Sequence, residues 1–281
     1  MSESFCRRAT RFVLKRIPVY AGIYVAVVAV FLWFELRLVF HPHTAAEAWL
    51  PPPDRRTQDV EFTSADGTKL HAWWLPPTRP EAGAFLVSHG NGGNLSYRGD
   101  LAIYLNKATD AGVLMYDYPG YGKSDGSPTE AGCYASCDAA YAWLTTDGKI
   151  SPLRVVLLGE SIGTGVAVEA ATRHDHRALV LMCPFTTLPA AAKHHYPWLP
   201  THTLMRSRFD SLSRIHSCTR PLLVGHSTDD RVVPFWQGET LYNAANEPKE
   251  LQGVAAAGHN LATEQFAGVV ARFLEKHPAS K

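Results

Sequence analysis

The sequence predicts an α/β protein: a mostly parallel sheet flanked by helices, carrying a short cap insertion and preceded by an N-terminal transmembrane helix. Three observations predict it. From residue 84 onward, apolar runs alternate with helix-length segments, the pattern of strands buried on both faces by crossover helices. One connection, Thr186 to Ile215, is long and broken by prolines, as a lid over a site would be. Ile17 to Phe34, "IPVYAGIYVAVVAVFLWF", is an uncharged run of 18 residues, which at ~1.5 Å per residue approaches the thickness of a ~30 Å hydrocarbon layer.

The N-terminal elements follow from charge and composition. Arg7, Arg8, Arg11, Lys15 and Arg16 precede the apolar run, whereas Glu35 and Arg37 follow it. This bias places the N-terminus in the cytoplasm and the remainder across the membrane, in a periplasmic or lumenal space. The alternative is a cleaved secretory signal, for which "AAEA" at 45–48 offers small residues. The length of the run and its bulky Trp33-Phe34 end favour an anchor. The chain therefore divides into a basic tail over 1–16, an anchor over 17–38, a stiff linker over 39–57 containing "PPP", and a soluble domain over 58–281 with its cap at 186–215.

The domain opens with two strand-like runs, "DVEFTS" and "KLHAWWLPP", joined across Asp66-Gly67, a hairpin signal. Further strands are expected at 84–90, 112–120, 154–160, 178–185, 221–227 and 250–258, with helices over Leu95 to Ala108, Thr129 to Leu144 and the final "LATEQFAGVVARFLEKH". A net charge of +1 gives no field toward nucleic acid. The cysteines Cys6, Cys133, Cys137, Cys183 and Cys218 fit neither a zinc pattern nor a compact disulfide framework and read as free thiols. Cys183 and Cys218 fall at opposite ends of neighbouring strands, too far apart to bridge. His194-His195 lacks further ligands at metal spacing, so neither metal nor cofactor is expected. "YGKS" at 121–124 fails as a phosphate loop because Asp117 stands where its first glycine must be, and Asn94-Leu95-Ser96 is only formally a glycosylation acceptor.

The chemistry gathers at the carboxyl ends of the strands, where open α/β sheets bind ligands. In "RVVLLGESIGTGVAV", Ser161 sits between a strand and a helix with glycines two places to either side, a turn that lifts a hydroxyl to the sheet edge. Such a hydroxyl needs a base, and the base needs a carboxylate. His259 follows the last strand-like run in "AAAGHN", and "GHSTDDRVVP" offers Asp229 or Asp230, one of which could instead cap the helix beginning near Pro234. The loop "SHGNGGN" at 88–94 leads from a strand into a helix, so the backbone amides of Asn91 and Ile162 are the expected oxyanion donors.

With "HGNGGN", "DYPGYGKSDGSP", "GESIG", "DDRVVP" and "GHN", the chain resembles the α/β-hydrolase superfamily from about Phe40 onward, and in particular its membrane-anchored bud-emergence-type members, relatives of protein depalmitoylases and of prolyl-oligopeptidase-like peptidases. The resemblance implies an α/β-hydrolase fold with a short cap, Ser161 as nucleophile, His259 as base and Asp230, in D-x-V-V-P, as the acid. Relatives more often carry a His-Gly-containing turn where this chain has "GHSTDD". The expected activity is acyl-enzyme hydrolysis of a carboxylic ester or thioester, small or acyl-chain, at a membrane surface reached through the N-terminal helix, with "HHYPWLP" lining or covering an acyl pocket. Two alternatives stand beside it: a peptidase holding its substrate amine near Glu160, and a binding protein without catalysis.

Overall fold

The computed structural model describes residues 3–279, with side chains from Arg16 onward; the other basic side chains of the tail, and that of Cys6, lie outside what is described. In chain order the elements begin with α1 (Glu3–Trp33), α2 (Glu35–Val39), β1 (His41–Pro42), β2 (Gln58–Thr63), β3 (Lys69–Leu75), β4 (Ala84–Ser88) and β5 (Gly92–Gly93). Next come α3 (Gly99–Thr109), β6 (Gly112–Tyr116), α4 (Glu130–Thr146), β7 (Val155–Glu160), α5 (Ile162–Ala171) and β8 (Ala178–Met182). The chain ends with α6 (Leu188–His195), α7 (Thr201–Leu204), β9 (Leu222–Ser227), α8 (Phe235–Ala244), β10 (Lys249–Val254) and α9 (Glu264–Lys276).

Eight strands form one sheet in the order β2-β3-β6-β4-β7-β8-β9-β10, in which β3 alone runs against both its neighbours. Side chains alternate between the two faces. Leu86, Leu157, Leu181 and Val224 pack beneath α4, α5 and α8, while Phe85, Val87, Leu158 and Val180 pack beneath α3 and α9. The central strands β4, β6, β8 and β9 are buried along their whole length and β7 at every residue but its last, Glu160, which is why their sequences are largely apolar runs. Threonines set the helix starts: Thr129 accepts the Gly132 N–H at 2.9 Å to open α4, and Thr263 accepts the Phe266 N–H at 3.2 Å to open α9.

The strands expected to reach 90, 120 and 185 end at Ser88, Tyr116 and Met182, and three further elements differ from their sequence readings. The last strand stops at Val254, and the expected continuation to 258 is a turn in which Ala256 and Gly258 take positive φ. The helix expected from Leu95 begins as a 3-10 turn, with α3 proper starting at Gly99. Most consequential, residues 39–57 are no free spacer. Strand β1 pairs in parallel with β5, Thr44 bridges to Gly122, and the Trp49 ring meets Trp73 edge-on at 5.3 Å. The segment is a strap laid across the domain.

Helix α1 contains a window, Arg16–Trp33, of mean hydropathy 1.8 that is long and apolar enough to cross a membrane. Its C-terminal part rests against residues 186–215, which hold α6 and α7. The Tyr24 hydroxyl donates to the Trp198 carbonyl at 3.0 Å, and the Phe31 ring meets Tyr196 and Trp198 edge-on, each at 5.6 Å. At the junction with α2, the buried Glu35 carboxylate accepts the backbone N–H of Arg206 at 2.9 Å and of Ser207 at 2.7 Å.

Candidate active site

Ser161 lies between β7 and α5 with φ 52° and ψ −116°, a backbone region costly for a residue with a Cβ. The sequence around it makes the turn feasible. A Cβ on Gly159 would strike the Gly163 carbonyl, and one on Gly163 would strike the Ser88 carbonyl, so helix, strand and neighbouring strand approach closely only because both positions are glycine. The turn is tied to the next strand by the Ser161 N–H, which donates to the Met182 carbonyl at 2.9 Å.

The turn after β10 brings His259 to this hydroxyl, with Nε2 2.9 Å from Ser161 Oγ. On the other side of the ring, Nδ1 lies 2.7 Å from Asp230 Oδ2. Asp230 follows β9, and its side chain is fully buried. The Val232 and Val233 N–H groups donate to its Oδ1 at 2.8 and 2.9 Å, and buried His226 stands 3.4 Å from Oδ2. Burial by itself raises the Asp230 pKa, but hydrogen bonds from His226, His259 and Val233 outweigh it and hold the carboxyl well below the usual carboxylate range. An ionised Asp230 fixes Nδ1 as the donor and leaves Nε2 free to accept from Ser161.

Asn91 and Ile162 line the same cavity as Ser161. The loop carrying Asn91 is held from several sides. Its carbonyl accepts from the Tyr121 hydroxyl at 2.7 Å and from the His41 N–H at 3.0 Å, and its side-chain amide donates to the Val39 carbonyl at 2.9 Å. Glu160 contributes by accepting from Gly90 N–H at 3.2 Å and from Arg98 Nε at 3.0 Å, while Arg98 also donates to the Gly92 carbonyl at 2.8 Å. Burial raises the Glu160 pKa, and the charge and hydrogen bond of Arg98, with the Gly90 N–H and His89, together more than offset this and leave it lowered. Glu160 is therefore engaged in bracing the loop, which removes it as a free anchor for a substrate amine.

Asp229 departs from its expected helix-capping role. Helix α8 starts at Phe235 with no side-chain cap, and Asp229 instead accepts from Ser227 Oγ at 2.6 Å and from the Gly258 N–H at 3.3 Å. It thus steadies the turn that carries His259. Asn94 is fully buried and donates to the His43 and Ala48 carbonyls at 3.0 and 2.8 Å, which closes it to a glycan. Cys133, Cys137, Cys183 and Cys218 are buried and unpaired. Cys183 Sγ lies with Asp230 and His259 atoms inside a 4.8 Å cluster, a neighbour that the sequence reading missed. Burial, then the Asp230 charge, hold its thiol well above the ordinary range. A protonated thiol beside a carboxylate and an imidazole already hydrogen-bonded at both ends does not make a metal site.

A polar trio with its serine at a strand-helix turn, on a mostly parallel sheet covered on both faces, defines the α/β-hydrolase class. A model of the alpha/beta hydrolase fold family matches residues 83–202. The chain is 38% identical over 239 residues to the uncharacterized protein Rv2307c of Mycobacterium tuberculosis, covering 83% of each. It is 31% identical over 246 residues to the uncharacterized protein YfhR of Escherichia coli K12, covering 84% of this chain and 85% of that one. Human alpha/beta hydrolase domain-containing protein 17B is 35% identical over 175 residues, 62% of this chain and 59% of its own. Among solved structures, a Pyrococcus furiosus esterase superposes with TM-score 0.69 at 22% identity, over 84% of this chain and 99% of that one. The chain belongs to the α/β-hydrolase family and is a hydrolase.

Proposed function

We propose that the protein is a membrane-anchored serine hydrolase that cleaves a carboxylic ester or thioester through an acyl-enzyme. The observation that carries this reading is the continuous relay from Ser161 Oγ to His259 Nε2 at 2.9 Å and from His259 Nδ1 to the buried Asp230 carboxylate at 2.7 Å. Ser161 Oγ attacks the carbonyl carbon while His259 takes its proton. Negative charge develops on the carbonyl oxygen, toward which the Asn91 and Ile162 amides are assigned as donors. The intermediate collapses as His259 returns the proton to the departing alcohol or thiol. Water then attacks the acyl-serine, His259 takes its proton and gives it back to Ser161, and the acid leaves. Asp230 stays ionised throughout and orients the ring.

Two features support the placement at a membrane: the apolar Arg16–Trp33 window and the exposure of almost all of it. With basic residues ahead of that window, the N-terminus lies in the cytoplasm and the hydrolase domain on the opposite side. The peptidase alternative loses its acidic anchor to Arg98 and Gly90. Fluorophosphonate labelling of the full chain tests the proposal. The wild type is expected to label and Ser161→Ala to remain unlabelled, with ester turnover lower by on the order of 10³-fold or more. Equal labelling of the two, or none of the wild type, would reject the nucleophile.

A further inference from the structure

A cavity of about 280 Å³ opens beside Ser161 and is walled on its far side by the N-terminal helices. Its lining runs from Ser161 and Ile162, past α6 and α7 of the cap, to Val28, Phe31, Leu32 and Glu35. Those last four fall at i, i+3, i+4 and i+7, one face of a helix. They are also the positions near the end of α1 and the start of α2 that are partly or fully buried, whereas Val30 and Trp33, on other faces, are 56% and 84% exposed. A helix serving only to hold a domain at a membrane has no need of a face shaped to a pocket that ends at the serine.

We infer that this cavity is the acyl-chain site, that α1 supplies one of its walls, and that the substrate class is an ester or thioester of a linear fatty acyl chain. The inference rests on the serine-hydrolase reading and names its substrate. Most polar groups of the lining are turned toward protein partners. Glu35 accepts two cap amides, His195 Nε2 is 2.8 Å from the Val232 carbonyl, and the Thr201 hydroxyl donates to the Pro189 carbonyl at 2.8 Å. What remains for a ligand is mainly aliphatic and aromatic surface, which rewards methylene burial and would leave a polar acyl group with few partners. The volume exceeds the ~150 Å³ of an apolar cavity that takes up benzene, so there is room for a chain well beyond acetyl. Tyr196 and Trp198 flank α1 at 42% and 48% exposure, the amphipathic aromatics that sit at a bilayer interface. The acyl chain thus passes from lipid along α1 to the serine without crossing bulk water.

The test uses the full chain in detergent micelles, with kcat/KM measured on p-nitrophenyl octanoate and acetate. Leu32→Trp and Ala192→Trp fill the cavity from its helix and cap sides, while Val30→Trp adds the same bulk on an outward face. The octanoate-to-acetate ratio is expected to fall at least tenfold in the first two and to hold in Val30→Trp. An unchanged ratio in both filling variants, each shown to be folded by fluorophosphonate labelling at Ser161, would overturn the pocket and leave the hydrolase standing; absence of labelling in the wild type would overturn both. A measurement independent of filling variants uses Ser161→Ala with a palmitoyl ester carrying a terminal diazirine. Photoadducts are expected on the peptide containing residues 28–35, and adducts confined to other surfaces would overturn the assignment.

Discussion

Ser161 holds a backbone conformation that its own side chain resists, and the cost is tolerated because Gly159 and Gly163 let three segments close around it. That arrangement was legible in the sequence, since the serine, the aspartates and the histidine each stand directly after an apolar run. The choice between Asp229 and Asp230 was not legible from adjacency, because both carboxylates reach the same turn: Asp230 bonds the His259 ring while Asp229 bonds the Gly258 amide. The bracing role of Glu160 was hidden for a related reason, its partner Arg98 lying 62 positions away. Asp230→Asn is expected to lower kcat by on the order of 10⁴-fold by allowing the wrong imidazole tautomer. The folded Asp230 pKa is depressed, so its ionisation contributes stability that is present above the unfolded value of about 3.9 and is lost as pH falls below it. The stability gap between wild type and Asp230→Asn in urea should accordingly narrow between neutral pH and about pH 3. A gap that stays constant would show that the depressed carboxyl is not coupled to folding.

Elements were read well where pattern is local and poorly where partners are distant. The buried strands and their helices follow from alternation in the chain. The strap over 39–57 could not be seen, because its strand partner, Gly92–Gly93, offers no side chains to signal pairing. The docking of α1 was hidden for the same reason: an apolar face toward a pocket and an apolar face toward lipid have one composition. Glu35 is the informative residue here, an acid just past an apolar run that reads as a membrane boundary and is in fact buried against residues 206–207, 171 and 172 positions away. Glu35→Ala leaves two amides without their acceptor, each costing ~1–3 kcal/mol if it stays buried. Trypsin should then cut the cap at Arg206 or Arg208 markedly faster than in the wild type, with Glu35→Gln, which keeps an acceptor oxygen, in between. Equal cleavage rates would mean that the cap is held without this contact.

At the scale of the whole molecule, an eight-stranded sheet presents its strand ends to one side, and there the site, the cap, the strap and the N-terminal helix converge. Sequence reading assigned these to four separate regions because it orders features along the chain, whereas the site is assembled across it. The Glu35 junction makes one further property follow. The Arg206 and Ser207 N–H groups join the start of α2 to residues 186–215 through Glu35, so that under the proposed anchoring the pair would form a lever with one arm in lipid and the other over the serine. A transmembrane helix answers a thicker or thinner hydrocarbon layer by changing its tilt. Reconstituted in phosphatidylcholine vesicles of graded chain length, the wild type should hydrolyse long-chain esters at rates that track bilayer thickness, and that dependence should flatten in Glu35→Ala; a wild-type rate indifferent to thickness would disconnect the two arms. Joined in this way, a helix proposed to set where the enzyme resides would also couple the thickness of that membrane to the segment over its site.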